Sequence, residues 1–315
     1  MRWKQFFTPV KSFDAAEAKN YMNHTAGDAF TLLDVRQPEE YESEHLPGAK
    51  LIPLPELSGR VPELDAEKPT IVYCAIGGRS RMAAQVLAAK GFREVFNLTG
   101  GIKAWSSGKA VGPQDLGLSL FSGKEAPEET LVVAYALEEG LFEFYQSMVP
   151  KVTNENARQL FGKLATIEIK HQDRIFNEYI KMTGAAVSRE DFAQKTVTPA
   201  MEGGLTTAEY LNRYQPDLEK AEDIISMAMA IEAQALDLYQ RAADEAKTAE
   251  SKTVLRRIAD EERAHLEQRK GDRAGRPGAG PVLGQRDPGR DAGGGLCPRG
   301  GFVRVLSVDG PESNK

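Results

Sequence analysis

The sequence predicts two folds in series. Residues 1–112 read as an α/β domain, a parallel sheet flanked by helices, and residues 128–270 as an all-α four-helix bundle. Three observations carry this. Short apolar runs alternate with helical patterns at the start of the chain, which is how a parallel sheet is written in sequence. Four long helical patterns follow, split into two pairs by a longer spacer. The second pair then repeats the first: Glu138, Tyr145, Glu168 and His171 recur as Glu232, Tyr239, Glu262 and His265, each 94 residues later.

Composition narrows the class. Of the 315 residues, 41% are hydrophobic and 27% charged, as in ordinary globular domains. No run of 18 apolar residues occurs, so no membrane span is expected. The start, Met1 to Phe7, is basic but lacks an apolar core and does not read as a secretory leader. Two cysteines, Cys74 and Cys297, cannot form a disulfide framework, and a reducing cytoplasm is the expected compartment. Two cysteines also cannot build an iron site of four thiolates. The net charge of −6 argues against a general nucleic-acid binder.

In the first domain, Phe30 to Val35 and Thr70 to Tyr73 read as buried strands. Ser80 to Lys90 reads as a helix stopped by Gly91, and Glu94 to Leu98 as a further strand broken by Gly100 and Gly101. Between the second strand and the helix lies Cys74-Ala75-Ile76-Gly77-Gly78-Arg79-Ser80. A cysteine at a strand end, followed by a glycine-bearing loop and a helix start, has backbone N–H groups aimed at its sulfur. These stabilise a thiolate or an added sulfane sulfur, and Arg79 adds positive charge.

Four ordered stretches carry a resemblance to the rhodanese family: Leu33-Asp34-Val35-Arg36; Glu40-Tyr41 with His45-Leu46-Pro47-Gly48-Ala49; the Cys74 loop; and Gly100-Gly101-Ile102-Lys103-Ala104-Trp105. The resemblance implies that Cys74 is a nucleophile that takes sulfane sulfur as a persulfide and passes it to an acceptor. Arg79 would assist it, and Ala75, Ile76, Gly77, Gly78 and Ser80 would form the persulfide loop. Asp34 and Arg36 match the family's strand-end acid and base, which brace the loop. Dual-specificity phosphatases share this fold but place five residues between cysteine and arginine. Here four residues, 75 to 78, intervene, and the shorter loop suits a sulfur atom better than a tetrahedral phosphate. Many family members carry a basic residue directly after the cysteine. This chain has Ala75, which weakens an inference of thiosulfate as the donor; thiosulfate and a low-molecular-weight persulfide both stay open.

Residues 113–127 read as a linker, with turn-formers at Gly112 and Pro113 and a helix start at Pro127-Glu128-Glu129. Helices are then expected from Glu128 to about Met148, Asn154 to about Met182, Asp217 to about Lys247 and Glu250 to about Gln268. The spacer between the pairs contains Pro199, Gly203, Gly204 and Pro216.

The duplicated unit has a chemical reading. Glu-x-x-His puts a carboxylate and an imidazole on one helical face. Four carboxylates and two imidazoles from four inward-facing helices suit a pair of Fe or Mn ions. One Glu from each of two helices plus Glu-x-x-His from each of the other two is the ligand pattern of ferritin-like carboxylate bundles. Tyr145 and Tyr239 lie two turns after the lone glutamates, either as redox tyrosines or as core aromatics with a hydroxyl partner.

Residues 126 to 268 resemble the rubrerythrin branch of the ferritin-like superfamily on these positions. The resemblance implies two iron ions, with manganese an alternative, held by Glu138, Glu168, His171, Glu232, Glu262 and His265. It further implies peroxide reduction with electrons from an external donor such as a rubredoxin, and a homodimer. A non-catalytic alternative is a metal-storage bundle joined to a sulfur-binding or sensing module. Residues 271–315 are rich in Gly, Arg and Pro and are expected to be disordered. Cys297 falls there, and nucleic acid is not an expected partner.

Overall fold

The structure is a computed structural model that describes residues 9–106, 108–193, 201 and 203–274. The expected disordered tail beyond 274, with Cys297, lies outside the described residues, as do Met1 to Phe7 and Pro199.

The α/β domain runs β1 (Lys11–Phe13), α1 (Ala15–Asn23), β2 (Thr31–Asp34), α2 (Pro38–Ser43), β3 (Lys50–Leu51), α3 (Leu57–Arg60), β4 (Thr70–Tyr73), α4 (Gly78–Ala89) and β5 (Val95–Leu98). The strands pair in the order β1-β5-β4-β2-β3, all parallel. Successive side chains of a strand point to opposite faces. Leu32, Ile71 and Tyr73 therefore join one core layer with Leu46 and Trp105. Leu33, Val72 and Cys74 join the other, under Ala83, Ala84 and Leu87 of α4. This alternation puts Cys74 at the end of β4 on the α4 side. The expected strands and helix are present to within one or two residues; β1, too short and too exposed to carry a pattern, was not legible.

The bundle consists of α5 (Pro127–Met148), α6 (Glu155–Thr183), α9 (Ala221–Glu245) and α10 (Ala249–Ala274). Two short helices, α7 (Arg189–Ala193) and α8 (Thr207–Tyr214), lie in the crossover between the pairs. α5 packs along α6, and α9 along α10. The Asn154 side chain caps α6 by accepting from Asn156 N at 2.9 Å and Ala157 N at 3.2 Å, a contribution of about 1 kcal/mol. Gly184, at φ 65°, ends the helix in the left-handed conformation glycine tolerates.

Two boundaries differ from expectation. The last helix reaches Ala274, four residues into the expected tail, because each added residue gains a backbone hydrogen bond once a helix exists. The segment 113–127 is not a loose spacer. Phe121 is buried, and Arg241 of α9 donates to the carbonyls of Gln114 and Leu116. No helix among the described residues is long and apolar enough to cross a membrane.

Candidate functional site

The Cys74 loop is shaped by its backbone. Gly77 adopts φ 98° and turns the chain so that its N–H donates to Cys74 Sγ at 3.1 Å. The Ser80 hydroxyl, in the first turn of α4, shares its proton between Cys74 Sγ at 3.4 Å and Asn97 Oδ1 at 2.7 Å. Burial pushes the Cys74 thiol up, but hydrogen bonds from the Ser80 hydroxyl and from the N–H groups of Ser80, Ile76 and Gly77 outweigh it and hold the thiol below its ordinary value. The loop is held from behind, where the Ile102 and Lys103 N–H groups donate to the Cys74 and Ala75 carbonyls at 2.9 and 3.1 Å. Gly101 has no room for a side chain, since a Cβ there would run into those same carbonyls. This is the physical content of the Gly100-Gly101 motif.

The structure places the other expected residues as follows. Arg36 donates to both oxygens of buried Asp34 at 2.7–3.0 Å and to the Glu44 carbonyl at 2.6 Å. The pair thus fixes the segment entering His45. Arg79 forms a two-point ion pair with Glu40, at 2.6 and 2.7 Å. Ile76 stands 67% exposed on the outer side of the loop. Asn97 and Glu40 carry parts that sequence reasoning left unassigned. A polar residue inside the buried run Val95–Leu98 was the available signal for Asn97.

In the bundle, the six ligand candidates form two matching clusters of buried or half-buried side chains, Glu138–Glu168–His171 and Glu232–Glu262–His265, the donor atoms of each lying within 4.8 Å of one another. The repeat is reproduced in detail. His171 Nδ1 is 2.9 Å from Glu168 and 3.4 Å from Glu138, while His265 Nδ1 is 3.2 Å from Glu262 and 3.5 Å from Glu232. The two imidazoles stack at 4.3 Å with planes 5° apart, so the clusters adjoin.

Electrostatics at the centre are strained in the direction a cation relieves. Burial pushes Glu168 up to about 8. Burial also opposes a charge on His171, but Glu138 and Glu168 override it and raise His171 to about 11. Glu138 is fully buried with His171 as its charged neighbour, at 3.4 Å, and a buried carboxylate is costly unless positive charge is supplied. Four carboxylates and two imidazoles fit two divalent ions in charge and donor type. Tyr145 and Tyr239 are fully buried; the Tyr145 ring packs on Phe144 and Phe161, and the Tyr239 ring on Phe121.

Comparison with known proteins agrees with this geometry. Residues 14–108 match the family model of the rhodanese-like domain. A thiosulfate sulfurtransferase GlpE of Coxiella burnetii is 38% identical over 76 residues, which span 24% of this chain and 71% of that protein. The chain belongs to the rhodanese-like family. Residues 129–270 match the rubrerythrin model, so a rubrerythrin domain follows the rhodanese-like domain in the same chain. The rhodanese-like/PpiC domain-containing protein 12, chloroplastic, of Arabidopsis thaliana is 41% identical over 103 residues, 31% of this chain and 34% of that protein. The chain spans between 34% and 59% of the length of the first curated relatives it matches. A crystal structure of a rhodanese-like domain protein from Staphylococcus aureus aligns at 30% identity over 30% of this chain and 91% of its own, with a TM-score of 0.29.

Proposed function

We propose that this protein carries sulfane sulfur as a Cys74 persulfide and, in the same chain, reduces peroxide at a di-iron carboxylate centre. The observation that supports it most is the matched pair of Glu–Glu–His clusters meeting at stacked His171 and His265. A chance packing pattern has no reason to repeat buried carboxylates and imidazoles in register on two helix pairs.

For the sulfur step, the Cys74 thiolate attacks the sulfane sulfur of a donor. The donor S–S bond breaks, its remaining part leaves with the electron pair, and Cys74 becomes a persulfide. A second thiol then takes the sulfur, and the thiolate returns. The Gly77 N–H and Ser80 hydroxyl hold the negative charge on sulfur in the resting state.

In the rubrerythrin domain, Glu138, Glu168, His171, Glu232, Glu262 and His265 are the ligands we assign. When bound, iron supplies the two electrons that peroxide needs to become water. An external donor such as a rubredoxin restores them. The carboxylates balance the metal charge, and the closely packed aromatic shell around Tyr145 and Tyr239 keeps bulk water away. We place the protein in the cytoplasm, as a homodimer.

Metal analysis and peroxide-dependent reoxidation of the reduced, iron-loaded protein test the second activity. Two metals per chain and fast reoxidation by peroxide are expected. Metal retention without reoxidation would favour storage, with the rhodanese-like domain as a sulfur-binding module. Intact-mass detection of one added sulfur on Cys74, absent in Cys74→Ser, tests the first.

A further inference from the structure

The sulfur site can be asked which donor it suits, because the loop's charge is spoken for. Arg79 is the one basic residue between Cys74 and Ser80. Its guanidinium is engaged on two nitrogens by both oxygens of Glu40, at 2.6 and 2.7 Å. That two-point geometry is the strong form of the pair. Glu40 is itself held in place, since its Oε2 also accepts the Gln37 N–H at 3.1 Å at the start of α2. Proximity to Arg79 keeps the Glu40 carboxyl below its ordinary range, so it is ionised at neutral pH. The pair is therefore locally neutral and puts a carboxylate beside the Cys74 loop.

The rest of the loop is apolar on its outer side. Ala75 follows the cysteine, and Ile76 exposes 67% of its surface. An exposed isoleucine two residues from a nucleophile is a contact for an organic group, whereas a sulfonate gains nothing from it. The loop N–H groups are directed at Sγ, where they stabilise the attacking thiolate rather than the distant end of the donor.

We propose that Glu40, by neutralising Arg79, sets the donor class of the sulfur site: an organic persulfide, R–S–SH, in preference to the thiosulfate dianion. This rests on the reading of Cys74 as the sulfur carrier. The step is balanced. The Cys74 thiolate attacks the outer sulfur of R–S–SH, the S–S bond breaks, R–S⁻ leaves with the electron pair, and Cys74–S–SH forms with no net oxidation. Glu40 acts through Arg79 and touches no reacting atom; it is a specificity-determining residue.

The test uses the full-length protein, with thiosulfate and benzyl persulfide as alternative donors and persulfide on Cys74 read by intact mass. Wild type should load faster from benzyl persulfide. Glu40→Gln keeps an acceptor for the Gln37 N–H and unmasks Arg79. It should raise the thiosulfate-to-benzyl-persulfide rate ratio on the order of tenfold, a gain that shrinks with added salt. Ile76→Ser should lower the benzyl persulfide rate more than the thiosulfate rate. A wild type that prefers thiosulfate, or a ratio unmoved in Glu40→Gln, overturns the donor assignment while leaving Cys74 as carrier. No adduct from either donor would instead remove the carrier reading itself.

Discussion

His45 of the rhodanese-like domain and Asp237 of α9 meet with 3.2 Å between imidazole Nε2 and a carboxylate oxygen, and neither side chain has any exposed surface. The contact is the centre of a polar junction. Asp237 also accepts from Gly48 N at 2.9 Å and from Arg241 Nε at 2.9 Å. Gln234 accepts from Val111 N and donates to Val111 O, at 2.9 and 3.2 Å. Gly48 takes a φ of 73°, the left-handed region that favours glycine, next to the Gln240 side chain. A motif of the α/β domain is thereby keyed to a bundle helix.

Losing the Asp237 charge should uncouple the two domains. Asp237→Asn leaves Arg241 buried without its anion, at a cost of about 3–5 kcal/mol. Calorimetry is expected to give one transition for wild type and two for the variant. Burial alone would raise the Asp237 carboxyl, but the His45 and Arg241 charges outweigh it and hold it well below its ordinary value. A depressed carboxyl stabilises the fold at pH above its unfolded value and loses that contribution as pH falls through the folded one. Wild-type stability should thus fall on acidification below about pH 4, and Asp237→Asn should show a weaker dependence there. Equal slopes would remove Asp237 from the account.

Sulfur loading at Cys74 should persist below the pH range of an ordinary thiol, since the loop lowers its proton affinity. Ser80→Ala deletes a donor and should move the midpoint of the pH–rate profile upward by about one unit, a loss of roughly 1.4 kcal/mol. Asn97→Ala should move it the other way, downward, because it frees the Ser80 hydroxyl proton for Sγ. A profile indifferent to Ser80 would count against the hydrogen bond.

Metal content should depend on both halves of the bundle. His171→Ala and His265→Ala are each expected to bring the metal below two per chain, whereas Glu139→Ala, one position off the ligand face, should not. Two metals retained in both histidine variants would reduce the repeat to a packing pattern.

Peroxide turnover by the purified, iron-loaded protein should require an added redox partner. Among the described residues Cys74 is the free cysteine, and it is committed to the rhodanese-like loop. Steady turnover with a reduced nicotinamide nucleotide alone would refute this.

Much of this architecture was readable from sequence because it rests on local chemistry. Leu32-Leu33 and Ile71-Val72 announce buried strands by apolar continuity. The candidate ligands stand out through helical spacing and through being written twice. Contacts that depend on distant partners left no such trace. Gln234, Asp237 and Arg241 look like solvated helix residues until the rhodanese-like domain is placed against them. Arg79 reads as a free positive charge until Glu40, 39 residues earlier, is found across from it.

The two copies of the repeat part company at these docking positions. Gln234, Asp237 and Arg241 are matched, 94 residues earlier, by Gly140, Glu143 and Ser147. The first set is buried, whereas Glu143 and Ser147 are exposed. The two matching candidate clusters are therefore mounted with unequal stiffness: α9 is clamped beside the candidate ligand Glu232 by a neighbouring domain, and α5 is not clamped at the matching positions. When the pocket adjusts to an ion of different radius, the travel should fall on the compliant side, at Glu138. Amide hydrogen exchange in metal-free protein is accordingly expected to be slower along 234–241 than along 140–147.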